Sequence, residues 1–503
     1  MMKINFIYIM GLLILISCNS SSTDKNSKSK KSESSNTASK SSSDDSRNAN
    51  IDIELSNVEV APVKLSHNIN TSANEYYPTV SPDGNTLFFT GMDRTGFFDT
   101  KVDFTKTRNM GGEDIFFSLK INGIWSDAKS LRLLNTNAHE AATQYQSNGD
   151  LIITGNYPEN IGPKNTNNGS ATTDIFMGMK KNDYALYHFE EPVNSIFCES
   201  DGYLSEDGNT LLFVSDRPGH MGDYHKKGWQ WNESYWGNTD IYVSVKEGDS
   251  WSVPKNLGNK INTAFTERTP WLSKDGLTLT LSSNGYGDNK KDLDIYTFKR
   301  TNKNDWDNWS GPIETKGLNS SLDDWGYKED NLGNGYFSRA IKLDFVPTQR
   351  GRNGTGFVFE NNFRSGYEVF GQQSGSFQAA EQTDIYFVNK SGVAITLPDI
   401  LFDVNSYKLS SVFKNLASQL VDFIKINNPK SILIKGYTDS DGDDQLNLEL
   451  SKNRANSIKE LLTNNGVSIN IDIIGLGKSN PIAPNDTKEN KSKNRRVEIF
   501  FKN

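Results

Sequence analysis

Asp439 and Arg454 are two candidate binding residues of opposite charge near the C-terminus. Asp439 is expected to end a strand, and Arg454 lies on the helix predicted to follow it. A carboxylate and a guanidinium held close together could bind a zwitterion, because the carboxylate accepts from an ammonium and the planar guanidinium donates two hydrogen bonds to a carboxylate. The alternative is an ion pair between strand and helix that serves the fold alone.

The acidic run Asp439-Ser440-Asp441-Gly442-Asp443-Asp444 also suggests a calcium loop. An EF-hand loop has glycine at its sixth position and glutamate at its twelfth, whereas this run has Asp444 and Leu450 there. His220 and His225 are a close histidine pair, but no third spaced ligand accompanies them. We therefore predict no metal site and no cofactor.

Six predicted elements position Asp439 and Arg454. Strands are expected at 395–402, 432–438, 469–476 and 496–501, and helices at 409–426 and 446–464, where apolar residues recur at helical spacing. The alternation β-α-β-α-β-β predicts an α/β sandwich over residues 391–503.

Several ordered motifs of this region resemble the OmpA-like peptidoglycan-binding domain. They are Phe402-Asp403-Val404-Asn405, Gly436-Tyr437-Thr438-Asp439, Asn447-Leu448-Glu449-Leu450-Ser451-Lys452-Asn453-Arg454-Ala455, Gly475-Leu476-Gly477 and Asn494-Arg495-Arg496-Val497-Glu498.

This resemblance implies that the region binds diaminopimelate in the stem peptide of peptidoglycan. Asp439 and Arg454 would then meet in space, with Asp439 on the ammonium of the ligand and Arg454 on its carboxylate. The resemblance also implies that Asn405 and Asn447 flank the site and that Arg495 supports it.

A repeated pattern covers most of residues 58–390, within a predicted domain of residues 51–390. An Asp-Ile-aromatic triplet occurs at Asp114-Ile115-Phe116, Asp174-Ile175-Phe176, Asp240-Ile241-Tyr242, Asp294-Ile295-Tyr296 and Asp384-Ile385-Tyr386. Asp-Gly turns between β-rich runs precede several triplets and are a hairpin signal. Each unit predicts four short strands, which is one blade of an all-β propeller. The pattern resembles the PD40 (TolB-like) propeller repeat.

The two ends of the repeats predict the number of blades. The last unit lacks an outer strand, and residues 58–65 look like an outer strand with no blade before it. We expect these residues to complete the last blade, which gives five blades. Six blades is the alternative, because residues 339–381 could contain a degenerate unit.

The N-terminus resembles a bacterial lipoprotein signal. Lys3, an apolar run over 4–16 and the motif Leu15-Ile16-Ser17-Cys18 occur in the required order. The run is shorter than the ~20 residues that span a bilayer. The resemblance implies removal of residues 1–17 and acylation of Cys18, and the polar residues 18–50 predict a disordered tether. No acidic run follows Cys18, which favours the periplasmic face of the outer membrane.

Composition excludes several classes of protein. The 503 residues include 54 Lys+Arg and 62 Asp+Glu, for a net charge of −8, which argues against a nucleic-acid partner. Cys18 and Cys198 are too few for a disulfide framework or a four-cysteine zinc site. The chain has no Gly-x-Ser-x-Gly motif, and we predict that it is not an enzyme.

These features predict a lipid-anchored protein that binds peptidoglycan non-covalently and presents its propeller to an unidentified protein. By analogy, that protein would belong to a secretion or gliding machinery. The alternative is a propeller that receives a glycan or another small ligand while the α/β domain anchors it passively. Trp229, Trp231 and Trp236 in one insertion favour this alternative, unless they only pack the insertion over its blade. A propeller enzyme would instead require perturbed acids or bases at the centre.

Overall fold

The computed structural model of the chain describes residues 62–71, 73–92, 113–136, 139–162, 172–221, 229–231, 234–236, 239–287, 292–314, 317–342, 363–364, 367–368, 381–389, 392–398, 401–403 and 406–502. The predicted signal peptide and tether, with Cys18, lie outside these residues, and so does Asn405. The described chain is mostly β-sheet, with several sheets followed by a C-terminal α/β domain. Within the described ranges, no helix combines the length and apolar composition needed to cross a membrane.

Five antiparallel sheets of similar design are formed by the described residues before the α/β domain. Strand β1 (Val63–Lys64) comes first and belongs to the fifth sheet. The first sheet contains β2 (Asn74–Val80), β3 (Thr86–Met92), β4 (Glu113–Ile121), β5 (Ile124–Trp125) and β6 (Lys129–Ser130). The second contains β7 (Glu140–Tyr145), β8 (Leu151–Gly155), β9 (Asp174–Met179) and β10 (Ala185–His188), with a 3-10 helix at Lys180–Asn182.

The remaining three sheets repeat this design. The third contains β11 (Glu199–Leu204), β12 (Thr210–Ser215), β15 (Asp240–Glu247), β16 (Ser250–Trp251) and β17 (Lys255–Asn256), with a separate hairpin of β13 (Trp229–Trp231) and β14 (Ser234–Trp236). The fourth contains β18 (Glu267–Leu272), β19 (Thr278–Ser283), β20 (Asp294–Lys299) and β21 (Ser310–Glu314). The fifth contains β22 (Asp324–Glu329), β23 (Asn334–Lys342), β26 (Glu381–Asn389) and β1, and β24 (Phe363–Arg364) with β25 (Tyr367–Glu368) forms another hairpin.

The N-terminal strand completes the fifth sheet. Val63 lies opposite Phe387, and Lys64 lies opposite Tyr386, in antiparallel register. This pairing of β1 with β26 confirms the predicted outer strand of the last unit. The two ends of the repeat region are therefore joined by backbone hydrogen bonds.

An asparagine holds the isoleucine of each triplet. All five isoleucines are fully buried, and in each case the asparagine accepts from the isoleucine N–H and donates to its C=O. The pairs are Ile115 with Asn135, Ile175 with Asn194, Ile241 with Asn262, Ile295 with Asn319 and Ile385 with Asn70. In four sheets the asparagine follows the sheet along the chain. In the fifth it is Asn70, so the N-terminal segment supplies the missing part.

Each of these asparagines also precedes a buried acid in the first strand of a sheet. The residue directly after the asparagine is Thr or Ser, and its backbone N–H donates to a Glu or Asp four positions further along the chain. The pairs are Thr71 with Glu75, Thr136 with Glu140, Ser195 with Glu199, Thr263 with Glu267 and Ser320 with Asp324. All five acids are fully buried. The pattern Asn-(Thr/Ser)-x-x-x-(Glu/Asp) therefore marks where each sheet begins.

Neighbouring sheets are linked in chain order, and the fifth is linked to the first. The hydrogen bonds are Tyr145 N–H to Thr79 Oγ1 (2.8 Å), Thr143 Oγ1 to Gly202 O (2.8 Å), Tyr203 OH to Leu272 O (2.9 Å), Gly326 N–H to Thr269 Oγ1 (3.2 Å) and Tyr77 N–H to Ser338 Oγ (3.2 Å). No sheet of the five thus lacks a described bond to the next.

First strands from three different sheets meet in a buried polar cluster. Arg268 donates from Nε to Asp201 Oδ2 at 2.5 Å and from Nη2 to Asp201 Oδ1 at 2.9 Å, and Tyr77 donates to the same carboxylate at 2.6 Å. Burial opposes ionisation of Asp201, but the Arg268 guanidinium outweighs it and holds the pKa of the carboxyl below its ordinary value. The side chains of Asp201 and Arg268 are only 1% and 3% exposed. This cluster therefore links the sheets and is closed to a substrate. Burial also lowers the pKa of nearby Lys328 to about 8.

The α/β domain has the predicted order of elements and one more helix. Its elements are β27 (Val393–Pro398), α1 (Ser411–Asn427), β28 (Ser431–Gly436), α2 (Asp444–Asn464), β29 (Asn470–Gly475), α3 (Lys488–Asn494) and β30 (Arg496–Lys502). The sheet order is β27-β30-β28-β29, in which only β28 and β29 are parallel.

The prediction of a strand over 395–402 was too long. Strand β27 ends at Pro398, which has no N–H to continue the ladder. Phe402 forms only an isolated bridge with Leu409, so the Phe402-Asp403 motif follows the strand. Asp439 likewise lies in the loop three residues beyond β28.

The α/β domain packs on the fifth and first sheets. Asn427, at the end of α1, accepts from the Lys64 N–H at 2.7 Å and donates to the Lys64 C=O at 3.0 Å. Gly123, in the turn between β4 and β5, approaches the Thr396 carbonyl so closely that a Cβ would collide with it. One apolar core runs through both regions.

Candidate functional site

The candidate site is built on the loop between β28 and α2. Gly436, the last residue of β28, faces the Ser451 carbonyl of α2 at a distance that leaves no room for a Cβ. The strand and helix can therefore approach closely. Asp443 caps the helix by accepting from the N–H groups of Gln445 (2.9 Å) and Leu446 (3.0 Å). Residues 437–443 are thus fixed at both ends.

Asp439 is the anionic group of this loop. Its Oδ1 accepts from the Asp441 N–H at 3.0 Å, and its Oδ2 accepts from Arg495 Nη1 at 2.7 Å. The side chains of Arg495 and Asp439 are 30% and 11% exposed. A carboxylate has about four acceptor positions, so Asp439 retains capacity for an ammonium donor.

Arg454 lies on the buried face of α2, one turn beyond Ser451. Its Nε donates to the Ser406 carbonyl at 3.1 Å, and its guanidinium lies 5.1 Å from the centre of the Phe402 ring. The neighbouring Ser457 donates to the Tyr407 carbonyl at 2.7 Å. Helix α2 therefore holds the segment after β27. The direct contact of Arg454 with Asp439 that the resemblance implies stays a prediction.

Asn447 lies at the start of α2 and borders the loop. Its Nδ2 donates to the Asp441 carbonyl at 2.6 Å, and its predicted position beside a bound ligand stays a prediction. The loop also contacts the Gly475-Leu476-Gly477 motif, because the Thr438 N–H donates to the Gly477 carbonyl at 2.8 Å. Gly477 in turn donates its N–H to Ser451 Oγ at 2.9 Å.

Further contacts come from residues that the sequence did not single out. Asn485 Oδ1 accepts from the Ser440 N–H at 3.2 Å, Lys491 Nζ donates to Asp441 Oδ1 at 2.7 Å, and Lys478 Nζ donates to the Gly442 carbonyl at 2.7 Å. The abundance of Asn and Lys after Gly477 is the available signal, but it is equally typical of an exposed loop.

The sequence also offered Cys198, a histidine pair and a tryptophan insertion as candidates. Cys198 is buried, and burial raises the pKa of its thiol well above the ordinary value. The tryptophan insertion contains a hairpin in which Trp229 pairs with Trp236, and His225 lies outside the described residues. Among the described residues, no three or more His, Cys, Asp or Glu side chains are grouped as metal ligands would be.

Comparison with known proteins places this site in a known family. Residues 401–495 match the model of the OmpA family. "Probable lipoprotein YiaD" of Escherichia coli is 38% identical over 116 residues, which is 22% of this chain and 53% of that protein. "Peptidoglycan-binding protein ArfA" of Mycobacterium tuberculosis is 36% identical over 107 residues, which is 21% of this chain and 33% of that protein.

A third relative is the "Peptidoglycan-associated lipoprotein" of Buchnera aphidicola, 33% identical over 103 residues, which is 20% of this chain and 60% of that protein. The chain thus spans between about a third and three fifths of these curated relatives. The family match falls within the α/β domain. Residues 401–495 therefore form a C-terminal domain of the OmpA family.

Proposed function

We propose that this chain binds peptidoglycan non-covalently through its OmpA-family domain and recognises the diaminopimelate of the stem peptide. The observation that carries the proposal is the Asp439 carboxylate, which is fixed by Arg495 and by the loop backbone and keeps acceptor capacity for an ammonium. The names of two relatives, one peptidoglycan-binding and one peptidoglycan-associated, support the same ligand.

The proposed roles follow from the charges of the ligand. The end of diaminopimelate presents an ammonium and a carboxylate on one carbon. Asp439 accepts from the ammonium, and the Arg454 guanidinium donates to the carboxylate. Asn405 and Asn447 border the ligand, and Arg495 keeps the Asp439 carboxylate in place.

A change in wall chemistry tests this proposal. The full chain is sedimented with purified peptidoglycan that contains either diaminopimelate or lysine at the third stem position. Lysine lacks the second carboxylate, so we expect binding weaker by about ten-fold or more, since a charge-assisted hydrogen bond contributes ~1.5–3 kcal/mol. Equal binding to both walls would refute recognition of diaminopimelate, and binding to neither would refute the function.

The β-region, residues 51–390, is proposed to be a five-bladed propeller that presents a surface to another protein. The pairing of β1 with β26 supports five blades, as do the contacts from each sheet to the next and from the fifth to the first. A secretion or gliding machinery as the partner rests on analogy alone, because propellers have many functions.

The proposed location is the periplasmic face of the outer membrane. A lipid on Cys18 would hold the chain there, and residues 18–50 would form the tether to the folded region. The names of two relatives include the word lipoprotein. Metabolic labelling with a radioactive fatty acid tests the anchor, because the label should enter the wild type and be lost in Cys18→Ser.

A second candidate function is a receptor for a glycan or another small ligand in the β-region. The hairpin that pairs Trp229 with Trp236 is the observation that favours it. A glycan array probed with the wild type and with a Trp229→Ala/Trp236→Ala variant separates the two functions. Specific binding that the double variant loses would favour the receptor.

A further inference from the structure

The segment from Lys478 to Arg495 contacts four consecutive residues of the site loop. Arg495 binds the Asp439 side chain, Asn485 binds the Ser440 N–H, Lys491 binds the Asp441 side chain, and Lys478 binds the Gly442 carbonyl. The loop is thus held by this segment as well as by the cap and Asn447 of α2. What orders the segment therefore also positions Asp439.

Asn494 is the residue that orders this segment. It is fully buried, and its Oδ1 accepts from the N–H groups of Ile482 (2.8 Å) and Ala483 (3.0 Å). Its Nδ2 donates to the Ala483 carbonyl at 2.8 Å and to Asn485 Oδ1 at 3.0 Å. The amide thereby uses both of its donors and both lone pairs of its oxygen.

Two paths lead from Asn494 to Asp439. Along the backbone, Asn494 directly precedes Arg495, which binds the Asp439 carboxylate at 2.7 Å. Through side chains, Asn494 holds Asn485, whose Oδ1 also accepts from the N–H of Ser440, next to Asp439. Asn494 is therefore connected to the Asp439 carboxylate through Arg495 and to the neighbouring Ser440 through Asn485.

The lysines of the segment contribute less to this positioning. The Lys491–Asp441 pair joins side chains that are 25% and 65% exposed, and exposed ion pairs stabilise little because water and salt screen them. The four hydrogen bonds of the buried Asn494 amide are part-buried, so water and salt screen them less, whereas the Asn485–Ser440 bond is exposed. Asn494, and Asn485 as the residue that it holds, are therefore the residues whose loss should displace the loop.

We infer that Asn485 and Asn494 are positioning residues for ligand binding: they fix the loop that carries Asp439 without touching the ligand. This inference rests on the proposed binding of peptidoglycan. It follows because recognition of a zwitterion requires the anion to be held within ~0.5 Å of its productive position.

The test compares four variants of the full chain. Asn485→Ala removes the acceptor for the Ser440 N–H, whereas Asn485→Asp retains it. Asn494→Ala removes the whole set of amide bonds. Asn490→Ala is the matched control, because the Asn490 side chain donates to Asp486 within the same segment at 2.7 Å. The readouts are co-sedimentation with diaminopimelate-type peptidoglycan and hydrogen–deuterium exchange of the peptide that contains residues 439–443.

We expect Asn485→Ala to weaken binding about three- to ten-fold, as for the loss of one hydrogen bond, and Asn494→Ala to weaken it about ten-fold or more. Both should speed exchange in the loop. Asn485→Asp should remain within about three-fold of wild type, and Asn490→Ala should match it. Faster exchange confined to the loop separates positioning from unfolding, which would speed exchange throughout the chain.

Three results would overturn the inference. The first is that Asn485→Ala and Asn494→Ala bind peptidoglycan as the wild type does. The second is that Asn485→Asp loses as much binding as Asn485→Ala. The third is that hydrogen–deuterium exchange of the loop is unchanged in both alanine variants. A wild type that does not sediment with peptidoglycan would refute the proposed function instead, and the role in binding would fall with it. The exchange result alone would then decide whether the two asparagines position the loop.

Discussion

Arg495 Nη1 donates to Asp439 Oδ2 at 2.7 Å and thereby ties the residue before β30 to the loop after β28. This ion pair leaves the other Asp439 oxygen to the Asp441 N–H. The orientation of the carboxylate therefore depends on the end of β28 and on the start of β30, which lie side by side because the two strands are antiparallel.

Replacement of Arg495 by alanine should weaken peptidoglycan binding by about ten-fold, because a part-buried charge-assisted hydrogen bond to Asp439 is lost. Lys493→Ala is the control, since Lys493 pairs only with Glu489 at an exposed position among the described ion pairs. Sedimentation isotherms with purified peptidoglycan measure both. Equal affinity of Arg495→Ala and wild type would show that this pair does not support the site.

Stability should fall as pH rises from about 5 to 8. Burial raises the pKa of Glu267 from 4.5 to about 8, and the hydrogen bonds from Thr263 and Ser283 do not compensate. Burial raises the pKa of Glu140 to about 7. A carboxyl with a raised folded pKa binds its proton more tightly in the folded state. Its contribution is therefore complete below the unfolded pKa and is lost as pH approaches the folded pKa.

Thermal unfolding at pH 5.5 and pH 8 measures this dependence. We expect the Tm at pH 5.5 to exceed that at pH 8 by roughly 3–6 °C, since ~1 kcal/mol shifts the Tm of a domain of this size by ~2–4 °C. Glu267→Gln should reduce the difference, and Glu206→Gln, a change at an exposed position, should leave it intact. A Tm that rises with pH would contradict the stabilising role of these protonated, buried carboxyls.

Asn70→Ala should destabilise the β-region as much as Asn262→Ala does, by about 2–4 kcal/mol, because each leaves a buried isoleucine N–H and C=O without its asparagine. Denaturant unfolding measures the loss. Asn85→Ala, at an exposed turn, serves as the control. If Asn70→Ala behaved like this control, the N-terminal segment would not complete the fifth sheet.

Asn427→Ala should loosen the junction of the two regions, because it removes both hydrogen bonds to the Lys64 backbone. We expect a loss of about 1–2 kcal/mol, seen as faster hydrogen exchange in peptides from β1 and from the end of α1. Asn465→Ala removes a bond within α2 only and should leave these peptides unchanged. Unaltered exchange in Asn427→Ala would mean that the apolar core alone joins the regions.

The parts of the fold that follow from local patterns could be predicted from the sequence. The triplet isoleucines mark buried strands, because β-branched residues and the alternation of apolar and polar residues are local signals of a strand. The order of strands and helices in the α/β domain follows from the spacing of its apolar residues. Helix α3 was not predicted, because residues 488–494 are all polar and contain no apolar residues at helical spacing.

Other features depend on contacts that no local pattern specifies. The Asn-(Thr/Ser)-x-x-x-(Glu/Asp) pattern is repeated in the sequence, but its residue types are typical of turns, and their bonds to strands are visible only in the structure. Asp439 and Arg495 are 56 positions apart, so their pairing follows from the sheet order. The arrangement of the five sheets as propeller blades stays a prediction.

Sedimentation of the full chain with diaminopimelate-type peptidoglycan, with Asp439→Ala and Arg454→Ala beside the wild type, shows whether this pair of residues binds the wall. Asp472→Ala and Lys452→Ala are the matched controls, since both residues are exposed in the same domain. We expect the wild type and the controls to pellet with the wall, while both site variants stay in solution with unchanged circular dichroism. Pelleting of the site variants to the same extent as the wild type would contradict it.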